Sequence, residues 1–166
     1  YGPNGAGKTN LFKAMMFYRD FIRMSTRFEG QAMQYEYFML STSAGKNPTS
    51  FEAEMEKDGK VYQYGFSLLL GAVKDEYLKV HSTDGSNFDT VFRRNSINKN
   101  GRYVESGFGN DLLKRTRPDA LVLTKAWEDN NEYAKDIFSW LDNFNLISVE
   151  QMMVLTAKKT LEDPIF

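Results

Sequence analysis

The sequence contains no cysteine, which excludes a disulfide framework or a thiolate metal site and is compatible with a reducing compartment. The formal net charge is −1, so no overall basic field favours non-specific binding to nucleic acid. No apolar run approaches the ~20 residues that a membrane-spanning helix needs. These absences predict a cytoplasmic protein without membrane contact, and 166 residues are enough for one sizeable core.

The most informative stretch lies at the start of the chain, where Gly2–Thr9 match the P-loop pattern G-x-x-x-x-G-K-[ST] at every specified position. Its three glycines lack a Cβ, so the backbone can turn several N–H groups towards one anion. In this pattern Lys8 reaches the β- and γ-phosphates of ATP, and the Thr9 hydroxyl ligates Mg²⁺. We therefore predict Lys8 as the catalytic residue, Thr9 as the metal ligand, and nucleotide contacts from Gly2, Asn4, Gly5, Ala6, Gly7, Lys8, Thr9 and Asn10.

The stretch after the loop predicts a deeply buried helix that ends near Gly30. Its N-terminal partial positive charge would point at the same phosphates. Residues 1–30 are thus expected to form the P-loop and its helix. The apolar stripe of this helix recurs at helical spacing and consists of Leu11, Met15, Tyr18 and Ile22, widened by Phe12, Met16 and Phe21.

Alternating apolar and polar residues predict an antiparallel β-meander of four or five strands over residues 51–105. Phe51, Ala53 and Met55 alternate with glutamates, and the next strand places Tyr62, Tyr64, Phe66 and Leu68 on one face. A further short strand is possible at Gln34–Leu40. The turn signals between the strands are Asp58-Gly59, Gly71, Asp84-Gly85 and Asn100-Gly101, and Phe88, Thr90 and Phe92 alternate in the last strand.

From residue 108 the apolar period becomes helical, and residues 108–145 are predicted to form a helical segment. A short helix begins at Asn110 and ends before Pro118, and a second spans Asp119–Trp127. A third is capped by Asn130 or Asn131 and carries Tyr133, Ile137, Trp140, Leu141 and Phe144 on one stripe. Residues 146–166 are expected to hold a return strand, Leu146–Val149, and the start of another element at Thr160–Asp163.

The P-loop together with Leu11 and Lys13-Ala14-Met15 resembles the ATP-binding proteins of the ABC-ATPase-like AAA group. This group includes the OLD-like and abortive-infection ATPases, with SMC and RecF heads as more distant relatives. The resemblance implies an α/β fold, a P-loop NTPase lobe of ABC-ATPase type with an antiparallel β-meander and a helical segment. Weaker similarity continues through Pro48–Phe51, Asp58–Phe66, Asp75–Leu78, Val91–Arg94, Phe138–Leu141 and Leu161–Pro164.

The same resemblance implies that two heads form a homodimer with ATP between them. The signature loop, the Walker B acidic pair and the switch histidine of the family would lie after Phe166. Only Tyr1 precedes the loop, and no initiator Met is present. We therefore expect the sequence to be part of a longer protein, and residues 1–166 alone to hydrolyse almost no ATP.

Several other residues could imitate parts of an ATPase site, but each has a more ordinary interpretation. Asp75, Glu76 and Asp142 are acids near apolar runs, yet Lys74 interrupts the first run and the last sits in a helical pattern. His81 is more typical of a surface residue than of a general base. A Q-loop glutamine is implied by the resemblance, without a way to choose among Gln31, Gln34, Gln63 and Gln151. Gly107-Phe108-Gly109 is more typical of a turn than of a dinucleotide fingerprint.

The small basic clusters Arg93-Arg94 and Lys114–Arg117 are ordinarily solvated faces, with nucleic-acid contact as the open alternative. The function predicted from the whole sequence is MgATP binding and, in the longer protein, hydrolysis that drives a conformational or assembly switch in DNA processing or phage defence. One alternative is a non-catalytic ATP-binding module that controls a nuclease or toxin partner. A small-molecule kinase is disfavoured, because its lid should be rich in arginine, whereas this chain inserts a meander.

Overall fold

The computed structural model describes residues 8–27, 46–82, 88–95, 108 and 110–143. Within these residues one antiparallel sheet has the order β1-β2-β3-β4, so each strand pairs with its neighbour in sequence. This mixed α/β architecture confirms the predicted meander. The elements are α1 (Lys8–Met24), β1 (Thr49–Lys57), β2 (Lys60–Leu69), β3 (Ala72–Ser82), β4 (Asp89–Asn95), α2 (Asn110–Arg115), α3 (Val122–Glu128) and α4 (Glu132–Asn143).

Two tight turns connect the first three strands. Asp58 and Gly59 have φ values of 51° and 74°, which is the positive-φ pair of a type I′ hairpin. Leu70 and Gly71 repeat this geometry with φ values of 51° and 78°. The predicted turn at Asp58-Gly59 and the break at Gly71 are therefore confirmed. The predicted turns at Asp84-Gly85 and Asn100-Gly101 lie outside the described residues.

One face of the sheet forms the core, and the helices cover it. Tyr62, Tyr64, Phe66 and Leu68 are all buried, which confirms the predicted inward face of β2. Helix α1 packs on this face through aromatic rings, with Tyr18 stacked on Phe66 at 5.6 Å and Phe21 tilted against Phe66 at 5.4 Å between centroids. At the other end of β2, the Tyr62 hydroxyl donates to Asp136 on α4 at 2.5 Å.

Helix α1 differs from its prediction in both length and burial. It begins at Lys8, ends at Met24 rather than near Gly30, and leaves Leu11 64% exposed although Tyr18 and Ile22 are buried. The rings that contact the sheet come from the second half of the helix. The helical period therefore identified the correct stripe but could not show that only part of its length is covered.

The helical segment also differs from its prediction at one boundary. Helix α3 begins at Val122 instead of Asp119, because Leu121 is extended with φ −83° and ψ 139°. The start of α4 is as predicted, since the Asn131 side-chain oxygen accepts a hydrogen bond from the Ala134 N–H at 3.3 Å. No described helix is long and apolar enough to cross a membrane. The predicted elements at Gln34–Leu40, Leu146–Val149 and Thr160–Asp163 lie outside the described residues.

The opposite face of the sheet is polar, and its side chains bond to one another. The Gln63 amide donates to Glu52 at 3.0 Å, and Lys79 donates to Gln63 at 3.2 Å. The Tyr77 hydroxyl also donates to Glu52, and its ring lies over Gly65. A Cβ added at Gly65 would lie 2.8 Å from the Tyr77 Cζ. Glycine at this position therefore permits the ring to close over the strand.

Gly65→Ala should lower the free energy of unfolding by about 1 kcal/mol, because the new methyl group forces the tip of the partly exposed Tyr77 ring away from the strand. Urea denaturation would measure the change. The matched control is the double variant Gly65→Ala/Tyr77→Ala, in which the methyl group has space and the cost of the alanine at residue 65 should largely disappear. A Gly65→Ala protein as stable as the parent would contradict the close approach of ring and strand.

Candidate functional site

The predicted phosphate loop stands directly before α1. The loop residues Gly2, Asn4, Gly5, Ala6 and Gly7 lie outside the described part of the chain, as do the side chains of Lys8 and Thr9. A helix of 17 residues does begin at Lys8, and Asn10 is exposed in its first turn. The geometry of the loop itself stays a prediction.

The start of α1 is chemically suited to an anion. The first N–H groups of a helix have no partner within the helix, and its dipole places partial positive charge at that end. The first turn of α1 carries no acidic side chain, so no carboxylate of that turn competes for these groups. A phosphate group held by the preceding loop would therefore meet N–H donors at a helix end that attracts negative charge.

The opposite end of α1 is fixed by a chain of buried hydrogen bonds to α3. The Thr124 hydroxyl donates to the carbonyl of Ile22 at 2.6 Å and lies 2.8 Å from the Ser25 hydroxyl, which accepts the N–H of Leu121 at 3.1 Å. A hydroxyl has a single proton. Since that of Thr124 goes to the carbonyl, the Ser25 hydroxyl must donate to Thr124. The three hydrogen bonds therefore share one donor-to-acceptor direction, which runs from Leu121 through Ser25 and Thr124 to Ile22.

Glu76 supplies the remaining cap of α3. Leu121, at the N-terminal boundary of α3, makes no side-chain capping bond. Instead the buried Glu76 carboxylate on β3 accepts the N–H of Val122 at 2.8 Å and that of Leu123 at 2.9 Å. A carboxylate at a helix N-terminus is stabilised by both the N–H groups and the dipole. The first turn of α3 is therefore capped from the sheet and from α1.

Glu76 is fully buried among groups that donate hydrogen bonds to it or carry the opposite charge. The Tyr64 hydroxyl donates to it at 2.9 Å, and an Arg94 guanidinium nitrogen lies 3.8 Å away. Burial raises the pKa of Glu76 above its ordinary value, whereas Arg94, the two helix N–H groups and the Tyr64 hydroxyl act to lower it. Arg94 also donates to the carbonyls of Ala120 at 2.8 Å and Arg117 at 2.9 Å. These bonds tie the turn that precedes α3 to β4.

The two acids of β3 do not form a metal site. Successive residues of a strand point to opposite faces, and Asp75 accordingly lies on the polar face, 3.4 Å from Arg93, while Glu76 is inside the core. Asp142 on α4 pairs with Arg23 on α1. Within the described residues no group of three histidine, cysteine or acidic side chains could hold a metal ion.

The basic clusters are also engaged within the protein. Arg94 is buried in the core, so it does not face a nucleic-acid partner. Arg115 lies 3.7 Å from Asp129, and Arg117 lies 3.0 Å from Asp119. The prediction of a solvated Arg93-Arg94 face is therefore wrong at Arg94, and the alternative of a nucleic-acid contact does not apply to that side chain.

The remaining candidates have structural partners where they are described. The His81 ring packs edge-on against Phe88 at 4.0 Å, and Phe108 packs on Phe92 at 4.6 Å. Gln63 lies on the polar face of the sheet, where its hydrogen bonds are to Glu52 and Lys79. Neither partner is a predicted nucleotide-binding residue. The other candidate glutamines, Gln31, Gln34 and Gln151, lie outside the described residues.

Sequence reasoning missed the polar core, although the signals were present. Glu76 occupies an inward position of the period-two pattern, two residues before Leu78, and Thr124 interrupts the apolar run Ala120–Leu123. A buried charge or hydroxyl at such a position needs partners. These partners are far away in sequence, so the pattern could have identified the residues but not what they bind.

A family model described as "AAA domain, putative AbiEii toxin, Type IV TA system" matches residues 1–147. Because the match spans most of the chain, the protein belongs to this family of AAA/ABC-like ATPase domains. Membership indicates a P-loop NTPase-like module that binds ATP. Comparisons with curated proteins and with solved structures gave no match.

Glu76→Gln should lower the free energy of unfolding by about 3 kcal/mol, because an amide presents one acceptor and a donor to groups that are all donors. Thermal denaturation would measure the loss. The matched control, Asp75→Asn, removes the neighbouring carboxylate on the polar face and should cost less than about 1 kcal/mol. If Glu76→Gln instead left stability unchanged and removed Mg²⁺-dependent nucleotide binding, Glu76 would be a metal ligand rather than a helix cap.

Proposed function

We propose that this chain is the ATP-binding lobe of a P-loop ATPase and that residues Gly2–Thr9 bind the phosphates. The observation that carries the proposal is the position of α1. The chain belongs to an AAA family. Its helix α1 begins at Lys8, the lysine of the G-x-x-x-x-G-K motif, and carries no acid in its first turn. The motif and the helix thus provide adjacent N–H donors for one anion.

Within this proposal each residue has a distinct task. The backbone N–H groups of Gly5, Ala6, Gly7 and Lys8 bind the phosphate oxygens, and the Lys8 ammonium group neutralises charge that develops on the γ-phosphate. The Thr9 hydroxyl is the ligand that the loop offers to Mg²⁺. When bound, Mg²⁺ would supply further charge neutralisation at the transferred phosphate. Asn4 and Asn10 flank the phosphates.

The wider proposal concerns the intact protein. Hydrolysis drives a conformational or assembly switch in a cytoplasmic ATPase of OLD-like type, with two heads enclosing ATP and a nuclease, toxin or nucleic acid as the target. Phosphoryl transfer depends on positioning and electrostatic stabilisation. A second head would supply groups that complete both, in DNA processing or phage defence.

The second candidate is a non-catalytic ATP-binding module that controls a nuclease or toxin partner. Asp75, Glu76 and Asp142 are each bonded to an arginine or a helix terminus, so among the described residues these three acids are not placed to position water. Acids from the rest of the intact protein would decide between hydrolysis and binding alone. The antiparallel sheet, in place of an arginine-rich lid, continues to disfavour a small-molecule kinase.

Lys8→Ala in the intact protein should abolish ATP turnover and weaken ATP binding, since it removes the cation at the γ-phosphate while preserving the fold. Phosphate release would report turnover, and titration with a fluorescent ATP analogue would report binding. Lys13→Ala makes the same charge change at an exposed position of the same helix and should leave both values unchanged.

Three results would separate the candidate functions. Equal turnover in Lys8→Ala and the parent would contradict the assignment of the loop. Parent protein that binds ATP at the loop but never hydrolyses it, with or without DNA, would establish the non-catalytic module. Transfer of the phosphate to a small-molecule acceptor instead of water would establish the kinase.

A further inference from the structure

We propose that Ser25 and Thr124 are positioning residues for the nucleotide site, although they lie at the opposite end of α1 from the phosphate loop. The inference rests on the proposed function. Through the hydroxyl chain described above, the two residues fix the rotation and the axial position of α1. They thereby set where its first turn, and the loop attached to it, meet the phosphates.

The middle and the C-terminal end of α1 are held by different contacts. The middle packs on the sheet through rings, including the Tyr18 and Phe21 contacts to Phe66. It also makes one buried hydrogen bond, from the Tyr18 hydroxyl to the Tyr64 carbonyl at 3.1 Å. Apolar contacts are non-directional, whereas hydrogen bonds require defined distances and angles, and one such bond leaves the helix able to pivot about it. The bonds at Ser25 and Ile22 therefore supply a second directional restraint, and two restraints at separate points fix the rotation and the axial position of α1.

The restraint at Ser25 and Thr124 is buried, and its hydrogen bonds are ordered in one direction. Ser25 and Thr124 are at most 1% exposed, so water does not offer them alternative partners. Both hydroxyl protons have definite acceptors, and hydrogen bonds arranged in one direction polarise and strengthen one another. Removing one hydroxyl would leave a buried carbonyl or N–H without a partner, which costs far more than the loss of an exposed bond.

The partners of Ser25 and Thr124 are themselves bonded to the core. Leu121, which donates to Ser25, immediately precedes the two N–H groups capped by Glu76. Around it, the Thr26 hydroxyl donates to Glu128 at 2.6 Å, and Arg23 pairs with Asp142. The C-terminal end of α1 is consequently tied to α3, to α4 and, through Glu76, to β3.

The length of α1 connects the bonds at Ser25 to the phosphate loop. At 17 residues, α1 is roughly 25 Å long, and a helix of this length transmits a shift or rotation at one end to the other. Phosphate recognition is sensitive to such errors, because a displacement of about 1 Å in a binding group can cost about a hundredfold in rate. A looser anchor at Ser25 should therefore weaken nucleotide binding without any contact to the nucleotide.

The test compares two threonines that lose the same group in the intact protein. Thr124→Val removes the bond to Ile22, whereas Thr116→Val removes a hydroxyl-to-carbonyl bond of 2.8 Å to Leu112 at the end of α2. Titration with a fluorescent ATP analogue gives the Kd of each variant, at a temperature well below the unfolding temperature. We expect Thr124→Val and Ser25→Ala to raise Kd about tenfold, Thr116→Val to leave it unchanged, and Thr124→Ser, which keeps the hydroxyl, to restore it.

Amide hydrogen exchange without nucleotide provides a second readout, which does not depend on the proposed function. Exchange over Asn10–Met16 should be faster in Thr124→Val than in the parent and unchanged in Thr116→Val. If the parent binds ATP, an unchanged Kd in Thr124→Val overturns the inference. If the parent binds no ATP, the proposed function fails by itself, and unchanged exchange in Thr124→Val then overturns the positioning role.

Discussion

The burial of the Glu76 carboxylate is the constraint on which the arrangement of helices depends. A charge without water must be surrounded by donors and an opposite charge, and Glu76 finds them in Tyr64, Arg94 and the first turn of α3. This requirement fixes α3 against β3. Arg94 in turn donates to the carbonyls of Ala120 and Arg117. The turn that leads into α3 is therefore fixed together with the first turn of the helix.

The two faces of the sheet manage their polar groups in different ways. On the outer face, Glu52, Gln63, Tyr77 and Lys79 satisfy one another beside water, and such exposed bonds contribute little each. On the inner face a few polar groups, Glu76 and Arg94 among them, are buried, where an unsatisfied partner would be costly. The inner groups therefore specify which helix contacts which strand, and the outer groups keep the opposite surface polar.

This organisation gives α1 two different ends. Its C-terminal end is held by directional bonds to α3, and its N-terminal end follows the glycine-rich loop and carries no acid in its first turn. In the proposed function this N-terminal end meets the phosphates, since the first N–H groups of a helix attract anions. The hydrogen bonds to α3 would then hold the helix in place for that contact.

The sequence by itself determined the features whose causes are local. The period-two pattern predicted the inward face of β2, Asp58-Gly59 predicted its turn, and Gly2–Thr9 carry the motif. The start of α4 was predicted at Asn130 or Asn131, and the structure selects Asn131. Only the tertiary structure decided that Glu76 caps α3, that Thr124 binds Ile22, and that Leu11 remains exposed. The physical reason is distance along the chain: these partners are 46 and 102 residues apart, and periodicity reports which face a residue takes but not which element will cover it.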